Sequence, residues 1–164
     1  MSKTEENLKA AFAGESQANR RYLAFAKKAE EEGLKGVAKL FRVAAESETI
    51  HALRHLNNLN EVKHTKENLK AAITGENYEH TKMYAQFIKE AENDDKAILY
   101  GFIGANETEK VHEGLFKAAL SKVENKQDIE ERNYHICTVC GYTMDNELDV
   151  CPVCNAGKEK FEVI

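Results

Sequence analysis

The chain has no tryptophan, one proline, and no cysteine before position 137. Proline breaks helices, so its absence from the first 151 residues leaves long helices unopposed. The scarcity of β-branched residues before position 130 points the same way. No apolar run approaches the ~20 residues a bilayer-spanning helix needs, so no membrane partner is expected. There is no basic excess: 28 acidic residues against 23 basic give a net charge of -5. That argues against non-specific nucleic-acid binding, which needs a basic face. Met1 to Glu6 lacks the apolar stretch of a signal peptide, which makes a cytoplasmic protein the default expectation. With 42% apolar and 31% charged residues, the balance is that of an ordered globular chain. At 164 residues it has room for one medium domain, or a small one plus a very small one.

Four helical segments fit the first 120 residues: about Thr4–Glu31, Lys35–Leu59, Lys66–Glu92 with Thr65 as N-cap, and Lys96–Val123. Asn93-Asp94-Asp95 separates the last two. Long segments with short breaks predict an antiparallel bundle over 1–123. The first half then repeats in the second. Asn7-Leu8-Lys9-Ala10-Ala11 returns as Asn68-Leu69-Lys70-Ala71-Ala72, Gly14-Glu15 as Gly75-Glu76, and Glu48-x-x-His51 as Glu109-x-x-His112, all at an offset of 61. Further on, Phe25 to Glu30 matches Phe87 to Glu92 at an offset of 62. One residue has therefore entered the third segment between Glu76 and Tyr84, an interval that contains Glu79. A helix absorbs such an insertion as a π-bulge, and π-bulges gather at functional sites.

An unpaired carboxylate buried in a bundle is costly, so matched acidic residues amid apolar neighbours need a partner. Glu and His three apart share a helix face. Two Glu-x-x-His pairs, with one further Glu from each remaining helix, form a six-ligand set for two cations: Glu15, Glu48, His51, Glu76, Glu109 and His112. Oxygen and imidazole donors together suit iron or manganese. Glu79, one turn from Glu76 and at the insertion, is a seventh candidate. A single Glu-x-x-His would read as a solvated face; its repetition in register overrides that. His55, His64 and His80 have no matched partner and are expected at the surface, as are Glu46 and Glu107. Tyr22 and Tyr84 lie about two turns beyond a ligand Glu. They are either core aromatics or hydroxyls directed at the ligands.

Residues 124–133 are polar and read as a linker, leaving 134–164 as a second module too small to hold a core without a metal or cross-link. Cys137-x-x-Cys140 and Cys151-Pro152-x-Cys154, ten residues apart, make two knuckles of a tetrahedral sulfur site. Zinc would make this module structural, and iron would make it a one-electron carrier. Tyr134, Tyr142 and Phe161 are candidates for its small aromatic core.

Taken in order, Ala11-Phe12-x-Gly14-Glu15-Ser16, Glu48-x-x-His51, Gly75-Glu76-x-x-Glu79-His80, Glu109-x-x-His112, Cys137-x-x-Cys140-Gly141-Tyr142 and Cys151-Pro152-x-Cys154 closely resemble the rubrerythrin family across essentially the whole chain. The resemblance implies an all-α ferritin-like four-helix bundle with a di-iron centre, followed by a rubredoxin-like module holding one iron on four cysteines. It implies a peroxidase that reduces hydrogen peroxide to water in oxidative-stress defence. Electrons would come through the rubredoxin-like iron from a reduced donor, a rubredoxin or a nicotinamide-dependent reductase. Carried over by position, Glu48 and Glu109 would bridge, Glu15 and Glu76 would be terminal, and His51 and Glu79 would exchange at one iron while His112 holds the other. Tyr22 and Tyr84 match the family's tyrosines near the site.

The connection between the second and third helices is short. Its ends should lie roughly 27 Å apart along a bundle axis at 1.5 Å per residue. Residues 60–65 reach at most about 25 Å when fully stretched. A helix-swapped homodimer is therefore expected, with each site drawing on two chains. The other functions weighed are a ferroxidase or iron-storage protein using the same ligands, a zinc-ribbon regulatory protein, and an oxygenase. The four-cysteine module is superfluous to storage, the six buried ligands are unexplained by a zinc ribbon, and no insertion suggests an oxygenase pocket.

Overall fold

The computed structural model describes residues 2–93 and 95–164. They form two compact units, divided between Lys63 and His64. Among the described residues, no helix is long and apolar enough to cross a membrane.

The first unit is a helix hairpin of α1 (Lys3–Glu31) and α2 (Lys35–Asn58). Ser2 caps α1 by accepting the Glu5 amide at 3.2 Å, and Glu5 and Glu6 meet the positive helix end. The helix stops where Gly33 turns left-handed at φ 78°, with Gly33 N–H bonded to Glu30 and Leu34 N–H to Ala29. This is a Schellman ending, which favours glycine at that position. Asn60 ends α2 in the same way at φ 56°, so the helix closes at Asn58. Only alanines are buried in these two helices: Ala26, Ala29, Ala38, Ala45 and Ala52. Their small side chains let the backbones approach. Tyr22, Phe25 and Phe41 cluster beside them with centroids 5.5–6.4 Å apart. Leu40, Val43, Ile50 and Leu53 remain exposed.

The second unit opens with α3 (Thr65–Tyr78), which continues through a π-turn at Glu79–Met83 into α4 (Tyr84–Glu90). The π-turn falls in the interval where the repeat comparison locates the inserted residue, and the Tyr84 amide reaches back to the Glu79 carbonyl. The expected N-cap differs: Thr65 is already helical, and the extended residue before it is His64, which makes no side-chain cap. Part of the predicted chain break, Asp94, lies outside the described residues. Asp95 caps α5 (Lys96–Glu124) by accepting the Ala97 amide at 2.7 Å. Tyr84, Phe87 and Phe102 repeat the aromatic cluster of the first unit.

After an irregular stretch, a three-stranded antiparallel sheet forms from β1 (His135–Cys137), β2 (Thr143–Met144) and β3 (Phe161–Val163), in the order β2-β1-β3. Ile136 pairs with Thr143 and Cys137 with Phe161. Its core is Cys137, Met144 and Cys151, packed by Tyr142, Leu148, Val153 and Phe161. Tyr134 is not part of it. Its backbone pairs with Ile164 and its ring lies under Arg132, because it sits beyond the first strand.

Candidate metal centres

Each helical unit builds one cluster of two carboxylates and an imidazole. In the first, Glu15 of α1 meets Glu48 and His51 of α2, with one ligand atom from each lying within 4.8 Å of the others. His51 Nδ1 stands 2.9 Å from Glu48 Oε2 and 3.9 Å from Glu15 Oε2. Glu15 and Glu48 are close enough to share a proton. Their mutual hydrogen bond raises the Glu15 carboxyl above its usual range, and lowers Glu48, which His51 also stabilises.

The second cluster is Glu76 of α3 with Glu109 and His112 of α5, again within 4.8 Å. His112 Nδ1 is 2.9 Å from Glu109 Oε2 and 3.6 Å from Glu76 Oε2. Burial, followed by the hydrogen bond with Glu109, raises Glu76. Glu79, on the π-turn, lies outside this tight cluster. It is raised by burial and then by the Glu76 charge, while His112 opposes the shift. Tyr84 is raised by burial and then by the charges of Glu109 and Glu79, so its phenol keeps its proton beside those carboxylates. Tyr22 sits in the matching aromatic cluster of the first unit.

The histidines expected at the surface divide. His64 is exposed. His55 is partly buried, and its Nδ1 is enclosed with no hydrogen-bond partner among the described residues. His80 is also enclosed, with Nε2 2.6 Å from Glu113 Oε2. Glu113, only 7% exposed, also accepts from Asn77 at 3.0 Å and pairs with Lys117 at 2.7 Å. Lys117 first, then His80, hold its carboxyl down to about 2. In sequence, Glu113 and Lys117 look like an ordinary exposed i,i+4 pair, which hides the clamp. The clamp ties the π-turn to α5. Glu113→Ala should lower the melting temperature and speed amide exchange through 79–83 by roughly ten-fold relative to α1, since it strips Asn77 and the partly buried His80 of their shared acceptor. Unchanged exchange across the π-turn would contradict this role. Glu46 is exposed, and Glu107 is partly buried and pairs with Lys110.

The four cysteines are free thiols, and their sulfurs converge. Cys137 Sγ lies 3.6 Å from Cys154 Sγ, and Cys140 Sγ 3.6 Å from Cys151 Sγ. A tetrahedron with metal–sulfur bonds of about 2.3 Å has edges of about 3.8 Å, so the cage is close to its metal-bound size. Burial pushes the Cys140 and Cys154 thiols up. At Cys137 burial acts the same way, but the backbone amides of Cys140 and Val139 outweigh it and lower the thiol. Thiols at this spacing and in this environment suit a cation that displaces their protons.

The module rests on α5. Gly104 approaches so closely that a Cβ there would stand 3.3 Å from Cys140 Cβ. Thr143 Oγ1 lies 2.9 Å from His112 Nε2. Neither residue carried a sequence signal of its own, since each acts only through a contact made by the fold. A cleft of about 310 Å³ opens beside Cys140 and Cys154, lined also by Tyr100, Ile103 and Val139.

The comparisons with known proteins agree with this arrangement. The family model described as rubrerythrin matches residues 6–120, and that described as rubrerythrin, rubredoxin-like domain matches residues 135–162. Rubrerythrin-2 of Clostridium acetobutylicum is 34% identical over 97% of this chain and 95% of its own length. Rubrerythrin of Porphyromonas gingivalis is 37% identical over 98% of this chain and 90% of its own. A solved structure of fully reduced, all-ferrous nigerythrin aligns with a TM-score of 0.56 and 32% identity, covering 100% of this chain and 88% of that one.

Proposed function

The chain belongs to the rubrerythrin family, with a di-iron carboxylate site and a rubredoxin-like four-cysteine site, and on that premise we propose that it is a peroxidase reducing hydrogen peroxide to water. The four cysteines would hold an iron able to relay electrons from a reduced donor protein. The observation that carries this reading is the seating of Cys140 against Gly104, on the same helix that supplies Glu109 and His112. A storage site has no use for a sulfur-ligated redox centre against its ligand helix. The cleft flanked by exposed Tyr100 and Val139 offers the donor a route to Cys140 and Cys154. Unpaired thiols fit a reducing, cytoplasmic setting.

The donor set fits two irons. By the family resemblance, Glu48 and Glu109 would be the ligands shared by the irons and Glu15 and Glu76 the unshared ones, with His112 holding one iron and His51 and Glu79 exchanging at the other. When bound, the reduced iron pair supplies the two electrons that, with two protons, convert hydrogen peroxide to two waters. The protein's own part is to orient the peroxide and hold protons. Tyr84 keeps its phenolic proton beside Glu109 and Glu79 and can donate a hydrogen bond there. Tyr22 takes the equivalent place in the repeat. His51, 52% exposed in its unit, is engaged through Nδ1 alone within that unit, whereas His112 is engaged at both nitrogens. Glu79 stands on a π-turn, outside the tight cluster, as a ligand that comes and goes would.

The active form in this reading is a homodimer in which 1–63 of one copy completes 64–123 of another, with 134–164 as the electron-carrying module. α2 runs seven residues past His51 and α3 starts eleven before Glu76. A single-chain bundle would thus need its connection to span roughly 27 Å. The six residues between Asn58 and Thr65 reach at most about 25 Å. The firm ending of α2 at Asn58 leaves no frayed turn to supply more. The exposed Leu40, Val43, Ile50 and Leu53 supply apolar surface for a second copy to bury. The functional test is steady-state consumption of hydrogen peroxide by the iron-loaded protein with reduced rubredoxin. Catalytic turnover is expected, and no consumption above the donor alone would overturn the peroxidase.

A further inference from the structure

We propose that Thr143, on β2 of the four-cysteine module, is a positioning residue for the di-iron centre: it fixes the His112 imidazole and so makes His112 the stationary one of the two histidine ligands. The inference rests on the ligand assignment above, not on the peroxide chemistry.

Thr143 is only 8% exposed, and its Oγ1 lies 2.9 Å from His112 Nε2. The other ring nitrogen, Nδ1, points to Glu109 at 2.9 Å and Glu76 at 3.6 Å. One imidazole is therefore engaged on opposite edges. With Nδ1 bound to iron, as the ligand assignment requires, Nε2 carries the proton and donates it to the threonine oxygen. An outer partner of this kind sets the tautomer and ring orientation of a histidine ligand.

The contrast with His51 isolates the cause. Both histidines belong to the same Glu-x-x-His repeat, and both Nδ1 atoms lie 2.9 Å from the glutamate three residues earlier. Yet His51 is 52% exposed, and within residues 2–63 its Nε2 has no counterpart to Thr143. The helices alone would make the two half-sites alike. The module, appended to one of them, makes them unlike. Thr143 also pairs in register with Ile136, next to Cys137, and follows Cys140 by three residues. The thiolate cage that orders this sheet thereby orders the residue that holds His112.

The test compares the full-length, iron-loaded chain with Thr143→Val, which keeps the shape but not the hydroxyl, and Thr143→Ser, which keeps the hydroxyl. Proton NMR of the anaerobically reduced protein reads the hyperfine-shifted ring N–H signals of iron-bound imidazoles, and chelator competition reads ferrous affinity. In the parent, one such proton should exchange slowly with solvent. In Thr143→Val it should be lost or exchange on the order of ten-fold faster or more. Ferrous affinity should fall about 10- to 100-fold. The visible spectrum of the four-cysteine iron should not change, and Thr143→Ser should restore both signals. A valine variant with the slow proton and the affinity intact overturns the inference. So does a loss that serine fails to restore, which would assign the effect to module packing. A parent protein with no iron-shifted imidazole N–H at all overturns the ligand assignment itself, a distinguishable failure.

Discussion

With zinc in place of iron at the four cysteines, donor-driven peroxide turnover is expected to fall on the order of 100-fold or more, because zinc has no accessible redox change. The substitution is clean. Both metals take four thiolates in a tetrahedron, and sulfurs 3.6 Å apart accommodate either. The core around Cys137 and Cys151 should persist, and with it the contacts to Gly104 and His112. Removing a fully buried cysteine such as Cys151 would instead dismantle a module that has little other core. The zinc form, reduced chemically at its di-iron centre, should still react with one charge of peroxide at close to the parent rate. Turnover with the donor should fail. Measuring both on one preparation separates electron delivery from peroxide chemistry. Donor-driven turnover at the parent rate in the zinc form would mean that electrons bypass the module.

The second large effect concerns assembly. A chain carrying Glu48→Ala loses a carboxylate of the metal-binding cluster in 1–63, and a chain carrying Glu109→Ala loses its counterpart in 64–123. Each alone should be inactive. If the halves of a site come from different chains, co-expression in equal amounts makes half of all dimers mixed, and each mixed dimer holds one intact site. About a quarter of parental activity should therefore return. If each chain builds its own site, the mixture should stay as inactive as its parts. Activity measured on the purified mixture decides between these, and inactivity despite demonstrated mixed dimers would defeat the swap.

The residues that repeat were the ones legible in the sequence. Glu-x-x-His at an offset of 61 marked both half-sites, and the slip from 61 to 62 marked the π-turn, because an insertion in a helix must go somewhere. The cysteine knuckles were equally plain, since thiols at that spacing have few other uses. Features that depend on a contact between distant elements were illegible. His80 looked like a surface histidine because its partner, Glu113, lies 33 residues away and resembles half of an exposed ion pair. Thr143 and Gly104 are ordinary residues until the module meets α5. Tyr134 has the chemistry of a core residue, but it falls just outside the sheet. A helix start one residue early, at Thr65 rather than Lys66, is the ordinary uncertainty of a terminus whose cap is backbone alone.

The most direct test of the peroxidase is a stopped-flow reaction of the anaerobically reduced protein with hydrogen peroxide, run beside dioxygen. The absorbances of the di-iron and four-cysteine centres are followed together. Peroxide should reoxidise both centres, far faster than dioxygen does, and leave only water. Indifference to peroxide with rapid oxidation by dioxygen would contradict the account and make iron oxidation the function of the same ligands.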